Sequence, residues 1–121
     1  MRSEELYLQD IIEAIILIEG FLTDITENKF FADELLQSAV LYQLMIIGEA
    51  SSRVSGKLKS KYPEIEWKEI IGFRNIVVHA YFSLNKHIIW ATVSNRIAPL
   101  RRQIQLILQK EYPVSGSASE Q

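Results

Sequence analysis

The sequence predicts an all-α protein: an up-and-down helical bundle of four to five helices, with the last helix kinked or split near Pro99. Apolar residues recur at spacings of three and four along most of the chain, which is the repeat of one face of a helix. No run alternates apolar and polar residues for long enough to read as a strand. Residues suited to capping stand ahead of the periodic stretches. At 121 residues the chain is one domain by size, predicted over 1–112, followed by a disordered tail over 113–121.

A first helix is predicted from a Ser3 N-cap to about Leu22, with Glu4 and Glu5 placed where acidic side chains suit the helix dipole. Ile11, Ile15, Ile18 and Leu22 keep helical spacing, and Leu8, Ile12 and Ile16 form an adjacent stripe. Together they make an apolar face wider than one neighbouring helix requires, which points to self-association.

The stretch from Thr23 to Lys29 is polar, and a second helix is predicted from about Phe30 to Ser55, stopped at Gly56. Its seam is Leu36, Val40, Leu44 and Ile47. On the adjoining line Leu41 and Met45 are followed by Glu49, a carboxylate in register with apolar residues that needs a partner if buried. Gly48 beside it would let another helix approach closely.

Pro63 restarts the chain, and a third helix is predicted from Trp67 to about Val78. Trp67, Ile71, Arg74 and Val78 lie along one line, so Arg74 belongs to an apolar seam or its edge. Ser83 and Asn85 are candidate caps for a fourth helix running from about Lys86 to Lys110, with Ile89, Val93, Ile97, Leu100, Ile104 and Ile107 as its seam. Pro99 falls inside it and removes a backbone donor, hence the predicted kink or split. The tail VSGSASEQ is too small and polar to offset the entropy of ordering.

Composition narrows the function. Apolar residues make up 48% and charged residues 23%, as in a folded soluble protein, and a formal charge of -2 gives no global preference for nucleic acid. Any RNA site must be local. No cysteine means no disulfide and no thiolate metal site, two histidines leave few metal ligands, and no apolar run approaches the roughly 20 residues of a membrane span. A cytoplasmic protein without metal or other cofactor is expected.

The chemistry concentrates in GFRNIVVHAY, Gly72 to Tyr81. Arginine offers a fixed charge and forked donors suited to phosphate, and histidine exchanges protons near neutrality. At about 100 degrees per residue Asn75 and His79 share a helical face, whereas Arg74 is separated from His79 by about 140 degrees. The parts suit RNA cleavage without a metal, in which a ribose 2'-hydroxyl attacks the neighbouring phosphorus. In that reading His79 is general base or acid, Arg74 steadies the extra negative charge, and Asn75 orients the imidazole or the phosphate. The reaction wants both an acid and a base, and one motif histidine per chain suggests half a site, completed across a two-fold dimer.

Each residue also has a structural reading. Arg74 can pair with Glu49 as a buried ion pair locking two helices, His79 can cap a helix end, Tyr81 can be a core aromatic, and Asn75 a simple cap. His87 reads as a surface residue with no role. Arg53, Lys57, Lys59 and Lys61 either complement a helix C-terminus or form an RNA-contacting patch.

Arg74-Asn75-x3-His79-x-Tyr81, with Trp67, with Gly48-Glu49-Ala50 upstream, and with Asn85 and Trp90 downstream, resembles the HepT-like branch of the HEPN families. The similarity covers nearly the whole chain up to the tail. It implies a helical bundle that forms a homodimer with two motifs facing one cleft, and a ribonuclease toxin paired with an MntA-type nucleotidyltransferase antitoxin. By that resemblance Arg74 and His79 are catalytic, Asn75 supports them, Glu49 is structural or second in line, and Tyr81 receives AMP from the antitoxin. An adenylyl group there would set bulk and negative charge where the substrate phosphate belongs. Ala80 departs from the acidic residue of many relatives, which bears on tuning of the histidine or recognition of the antitoxin. The alternative is a non-catalytic helical binding subunit of a nucleotidyltransferase complex.

Overall fold

The computed structural model describes residues 3–75 and 86–113, and within them every regular element is helical. Helix α1 spans Glu4–Phe21, α2 Glu27–Phe31, α3 Glu34–Arg53, α4 Gly56–Lys61, α5 Trp67–Ile71, α6 Lys86–Asn95 and α7 Ile97–Glu111. The all-α bundle is as predicted. Its elements are more numerous because the predicted long helices are interrupted by caps.

The Ser3 hydroxyl accepts from the Leu6 N–H at 3.4 Å and starts α1 as expected. The polar linker that follows turns at Asp24, whose φ of 60° is a left-handed conformation that Asp tolerates better than most residues. Thr26 caps α2 through the Lys29 N–H at 3.2 Å, and Asp33 caps α3 through the Leu36 N–H at 3.0 Å. The second predicted helix thus begins at Glu34 and not at Phe30, since the Asp33 carboxylate competes for the amides that a continuous helix would need. At its other end α3 stops at Arg53. The Ser55 hydroxyl accepts from the Leu58 N–H at 3.1 Å, and Gly56, expected as the stop, is the first residue of α4.

Helix α1 packs on α3 and α7. Its Glu4 carboxylate accepts from the Ser55 N–H at 2.6 Å, which fixes α1 and α3 as antiparallel neighbours. Leu8, Ile11, Ile15 and Ile18 of α1 meet Val40, Leu44 and Ile47 of α3 and the buried residues of α6 and α7 in one core. The predicted seams of α1, α3, α6 and α7 are buried, except that Leu36 and Leu22 are only partly so, whereas on the predicted third line Trp67 is buried, Ile71 half-buried and Arg74 exposed. Of the second stripe on α1, Leu8 is buried, Ile12 half-buried and Ile16 exposed, so part of that wide face is covered within the chain.

The last helix is split as predicted, but at Arg96, three residues before the proline. Pro99 occupies the first turn of α7, where its missing N–H has no partner to lose, while its ring excludes the carbonyl four residues earlier, that of Asn95, the final residue of α6. Arg96, at the break, forks to Glu66 and Glu69 beside α5. No helix among the described residues is long and apolar enough to cross a membrane. The predicted tail from Val114 onward lies outside the described residues.

Candidate functional site

The site is built where α5 and the turn after it rest on α3. Gly48 is buried on α3, and a Cβ added there would stand 2.9 Å from Arg74 Cγ, 3.1 Å from the Arg74 backbone nitrogen and 3.3 Å from the Ile71 carbonyl oxygen. The close approach expected of Gly48 is therefore real, and the residue that uses it is Arg74. Helix α5 breaks at Gly72 and helical geometry resumes over 73–75, with the Asn75 N–H donating to the Gly72 carbonyl at 2.9 Å. The remainder of the predicted third helix, including Val78, lies outside the described residues.

That placement brings Arg74 Nη1 to 3.1 Å from Glu49 Oε1. The other carboxylate oxygen of Glu49 takes Arg53, with Nη2 at 3.1 Å and Nε at 3.2 Å. One carboxylate thus holds two guanidinium groups from different segments. The expected Arg74–Glu49 pair is present, but it is not buried: the side chains are 47% and 48% exposed. The reason is the drift of an i, i+4 row by about 40 degrees per step around a helix. Leu41 lies inside, Met45 already outside, and Glu49 further out. An ion pair so exposed contributes about 0–1 kcal/mol to stability, so its larger effect is to fix where the Arg74 side chain points.

Asn75 is exposed on the same short helical segment as Arg74. His79, Tyr81 and Ala80 lie outside the described residues, as does the candidate cap Asn85. The flanking residues are firmly held on both sides. Beyond the segment, Lys86 Nζ donates to the Phe31 carbonyl at 2.9 Å, and the Trp90 ring lies 5.2 Å from that of Phe30. His87, expected to have no role, is exposed and makes a T-shaped contact with Phe31, the ring centres 4.5 Å apart. Gln37, buried on α3, donates to the Phe30 and Phe31 carbonyls at 2.8 and 3.2 Å. These anchors on α2 had no signal in the sequence beyond a cluster of aromatics.

Of the four basic residues read as a patch, Arg53 is paired with Glu49, and Lys61 with Glu111 at 2.8 Å. Partial burial lowers the pKa of Lys59, with the nearby Glu4 carboxylate acting against it. Lys57 is exposed on α4. The Glu111 carboxylate also accepts from the Tyr62 hydroxyl at 2.7 Å; Lys61 and Tyr62 hold that carboxyl below its ordinary pKa, and the bond to Glu111 pushes the Tyr62 phenol up to about 12. This cluster ties α4 to the end of α7.

On the other side of Glu49 a groove of about 540 Å³ opens between α1 and α3, lined by Tyr7, Asp10, Met45, Ile46, Glu49 and Arg53 among others. Tyr7, four residues before Ile11, begins the apolar seam of α1 and Asp10 lies off it; nothing in their spacing points to Glu49, and only the antiparallel packing brings them opposite it. Among the described residues no three His, Cys, Asp or Glu side chains group as a metal site would.

Comparison with known proteins agrees over this same span. The family model described as "Ribonuclease HepT-like" matches residues 11–107, which include every element from α1 to α7 at least in part. The chain is 40% identical over 104 residues to "Probable ribonuclease HepT" of Thermococcus cleftensis, covering 86% of this chain and 94% of that protein. It is 31% identical over 106 residues to a "Putative RNase" of Methanocaldococcus jannaschii, covering 88% and 97%, and 34% identical over 111 residues to one of Caldanaerobacter subterraneus, covering 92% and 99%. No solved structure matches the chain. With a family model spanning most of its length and relatives matched nearly end to end, the chain belongs to the HepT-like ribonuclease family.

Proposed function

We propose that this HepT-like ribonuclease is a metal-independent endoribonuclease toxin of a toxin–antitoxin system, cutting RNA with Arg74, Asn75 and His79. The observation that carries the reading is the seating of Arg74: its backbone and Cγ set over Gly48, its guanidinium aimed by Glu49 and left half exposed at the head of the motif. A merely structural arginine gains little from such exposure, whereas one that meets a phosphate needs it. In the proposed step the ribose 2'-oxygen bonds to phosphorus as His79 of one copy takes its proton. The bond to the 5'-oxygen breaks, and a second His79 returns a proton to it. The products are a 2',3'-cyclic phosphate and a 5'-hydroxyl. Arg74 stabilises the phosphorane charge, and Asn75 orients its neighbours.

Two copies are required for that exchange. Support for a homodimer comes from Leu17 and Phe21 of α1 and Leu35 and Tyr42 of α3, large apolar side chains left exposed near one end of the α1–α3 pair. Neutralisation would come from an MntA-type nucleotidyltransferase: the Tyr81 oxygen bonds to the α-phosphorus of ATP, pyrophosphate leaves, and the phenolic proton passes to solvent or a base. The adduct would put a negative phosphate beside the site.

Purified wild type, Arg74→Ala and His79→Ala, incubated with total RNA in the presence of a chelator, test the reading. Fragments with cyclic phosphate ends are expected from wild type alone. Equal fragmentation by all three, or by none, would remove it and leave a binding subunit of a nucleotidyltransferase complex. Intact mass after coexpression with the antitoxin, showing one added AMP absent from Tyr81→Phe, tests the neutralisation.

A further inference from the structure

The outer face of the α1–α3 pair has two unlike ends. Near the α1 C-terminus it is apolar, with Leu17, Phe21, Leu35 and Tyr42. Near the α1 N-terminus, some 15 Å away at 1.5 Å per residue, it opens into the groove beside Glu49. Glu49 is a wall of that groove and also the carboxylate that aims Arg74. A ribonucleotide whose phosphate meets Arg74 therefore has this groove as its neighbour.

We infer that the groove seats one base of the RNA beside the scissile phosphate, and that it selects a base bearing an exocyclic amino group. The inference rests on the ribonuclease reading above. Proteins that read single-stranded RNA stack a base on an aromatic or similarly soft surface and bond to its edge. Here Tyr7 and Met45 supply the stacking surfaces, and Ile46 an apolar wall. Asp10 supplies the edge contact: an ionised carboxylate only accepts, and its two oxygens offer about four acceptor sites, so it can take an amino hydrogen beside an existing partner. Adenine, cytosine and guanine carry such a group. Uracil offers a single N3–H between two carbonyl oxygens, so any bond it donates sets a carbonyl oxygen beside the carboxylate. Arg53, held to the opposite edge of Glu49, stands at the rim for an adjoining phosphate. The volume of about 540 Å³ falls within the roughly 300–1,000 Å³ common to small-ligand pockets, with room for a base and its ribose.

The test compares wild type and Asp10→Asn in the full chain on a random-sequence RNA, with the fragment ends sequenced. At one position flanking the cut, wild type is expected to favour amino-bearing bases over uracil, and Asp10→Asn to lower that preference about tenfold. An unchanged preference would overturn the inference. In a second arm, His79→Ala is titrated with cytidine and uridine 3'-monophosphates and followed through the Met45 methyl resonance, assignable because the chain has two methionines. A Met45 shift that saturates with the cytidine nucleotide at a severalfold lower concentration supports the inference. No shift, an equal response to both, or a shift that follows protein dilution instead of nucleotide overturns it, the last by showing contact between copies. Should wild type cut no RNA, the ribonuclease reading fails on the first arm while the second still decides the groove.

Discussion

Arg74 crosses α3 directly over Gly48, so closely that a single added methyl group would come within 2.9 Å of its side chain and 3.1 Å of its backbone nitrogen. The long side chain can swing aside, but the backbone nitrogen of Arg74 and the carbonyl of Ile71 cannot without moving the turn at Gly72. Gly48→Ala is therefore expected to destabilise the fold by about 1 kcal/mol, an overpacking cost of about 1–3 kcal/mol less the helix-propensity gain of up to about 1. Urea unfolding measures it, and a stability equal to or above wild type would show that the turn yields. RNA cleavage should fall further than stability does, because the displaced group is Arg74.

Glu49→Gln separates position from stability. Losing two half-exposed ion pairs, those with Arg74 and Arg53, should change unfolding by less than about 1.5 kcal/mol. Cleavage at saturating RNA should nonetheless fall about ten- to a hundredfold, since a guanidinium without its carboxylate no longer holds one geometry. A variant as active as wild type would leave Glu49 without a role in aiming Arg74.

Gln37→Leu removes a buried amide that holds the carbonyls of Phe30 and Phe31. The Phe31 carbonyl keeps its bond to Lys86 and that of Phe30 its bond from the Asp33 N–H at 3.2 Å, so neither is orphaned. The expected loss is about 0.5–1.5 kcal/mol, the net contribution of a hydrogen bond whose acceptor keeps another partner. A change in denaturant midpoint worth less than about 0.5 kcal/mol would show that water or a helical neighbour replaces the bond.

The Lys61–Glu111–Tyr62 cluster sets opposite limits on pH. Glu111 has a depressed pKa in the folded chain, so its contribution is present above the unfolded carboxyl pKa and is lost as pH falls through the folded one. Tyr62 is raised from 10.0 to about 12, so its contribution is complete below pH 10 and is lost as pH climbs from there towards 12. Thermal unfolding across pH should therefore decline at both extremes. Glu111→Gln is expected to flatten the acid limb and Tyr62→Phe the alkaline one, and a Tyr62→Phe profile that still fell as steeply between pH 10 and 12 would contradict the assignment.

Much of this was legible in the sequence. The seams of α1, α3, α6 and α7 could be read because burial follows the 3.6 repeat, and the pairing of Arg74 with Glu49 over Gly48 followed from their awkward positions. Other features are not legible there. Asp33 and Ser55 each carry a side chain able to cap a helix, but which of several such residues does so depends on packing that a linear reading does not contain. Glu49 stands in an apolar row, yet a row at spacing four drifts around the helix and carries it outward. Tyr7 and Asp10 cannot be matched to Glu49 and Arg53 from the sequence, since their proximity is a product of antiparallel packing across about forty residues of chain.

The split between α6 and α7 has a consequence for how the molecule can change over time. Because the break is enforced by a proline ring in the first turn of α7, and Arg96 at the break reaches back to Glu66 and Glu69, the direction in which α6 sets out does not depend on the length of α7. Residues 76–85 are flanked by Asn75, whose N–H bonds to the Gly72 carbonyl, and by Lys86, whose Nζ bonds to the Phe31 carbonyl at the end of α2. Both bonds are made by residues outside that interval, so a substitution within 76–85 leaves their donors and acceptors in place.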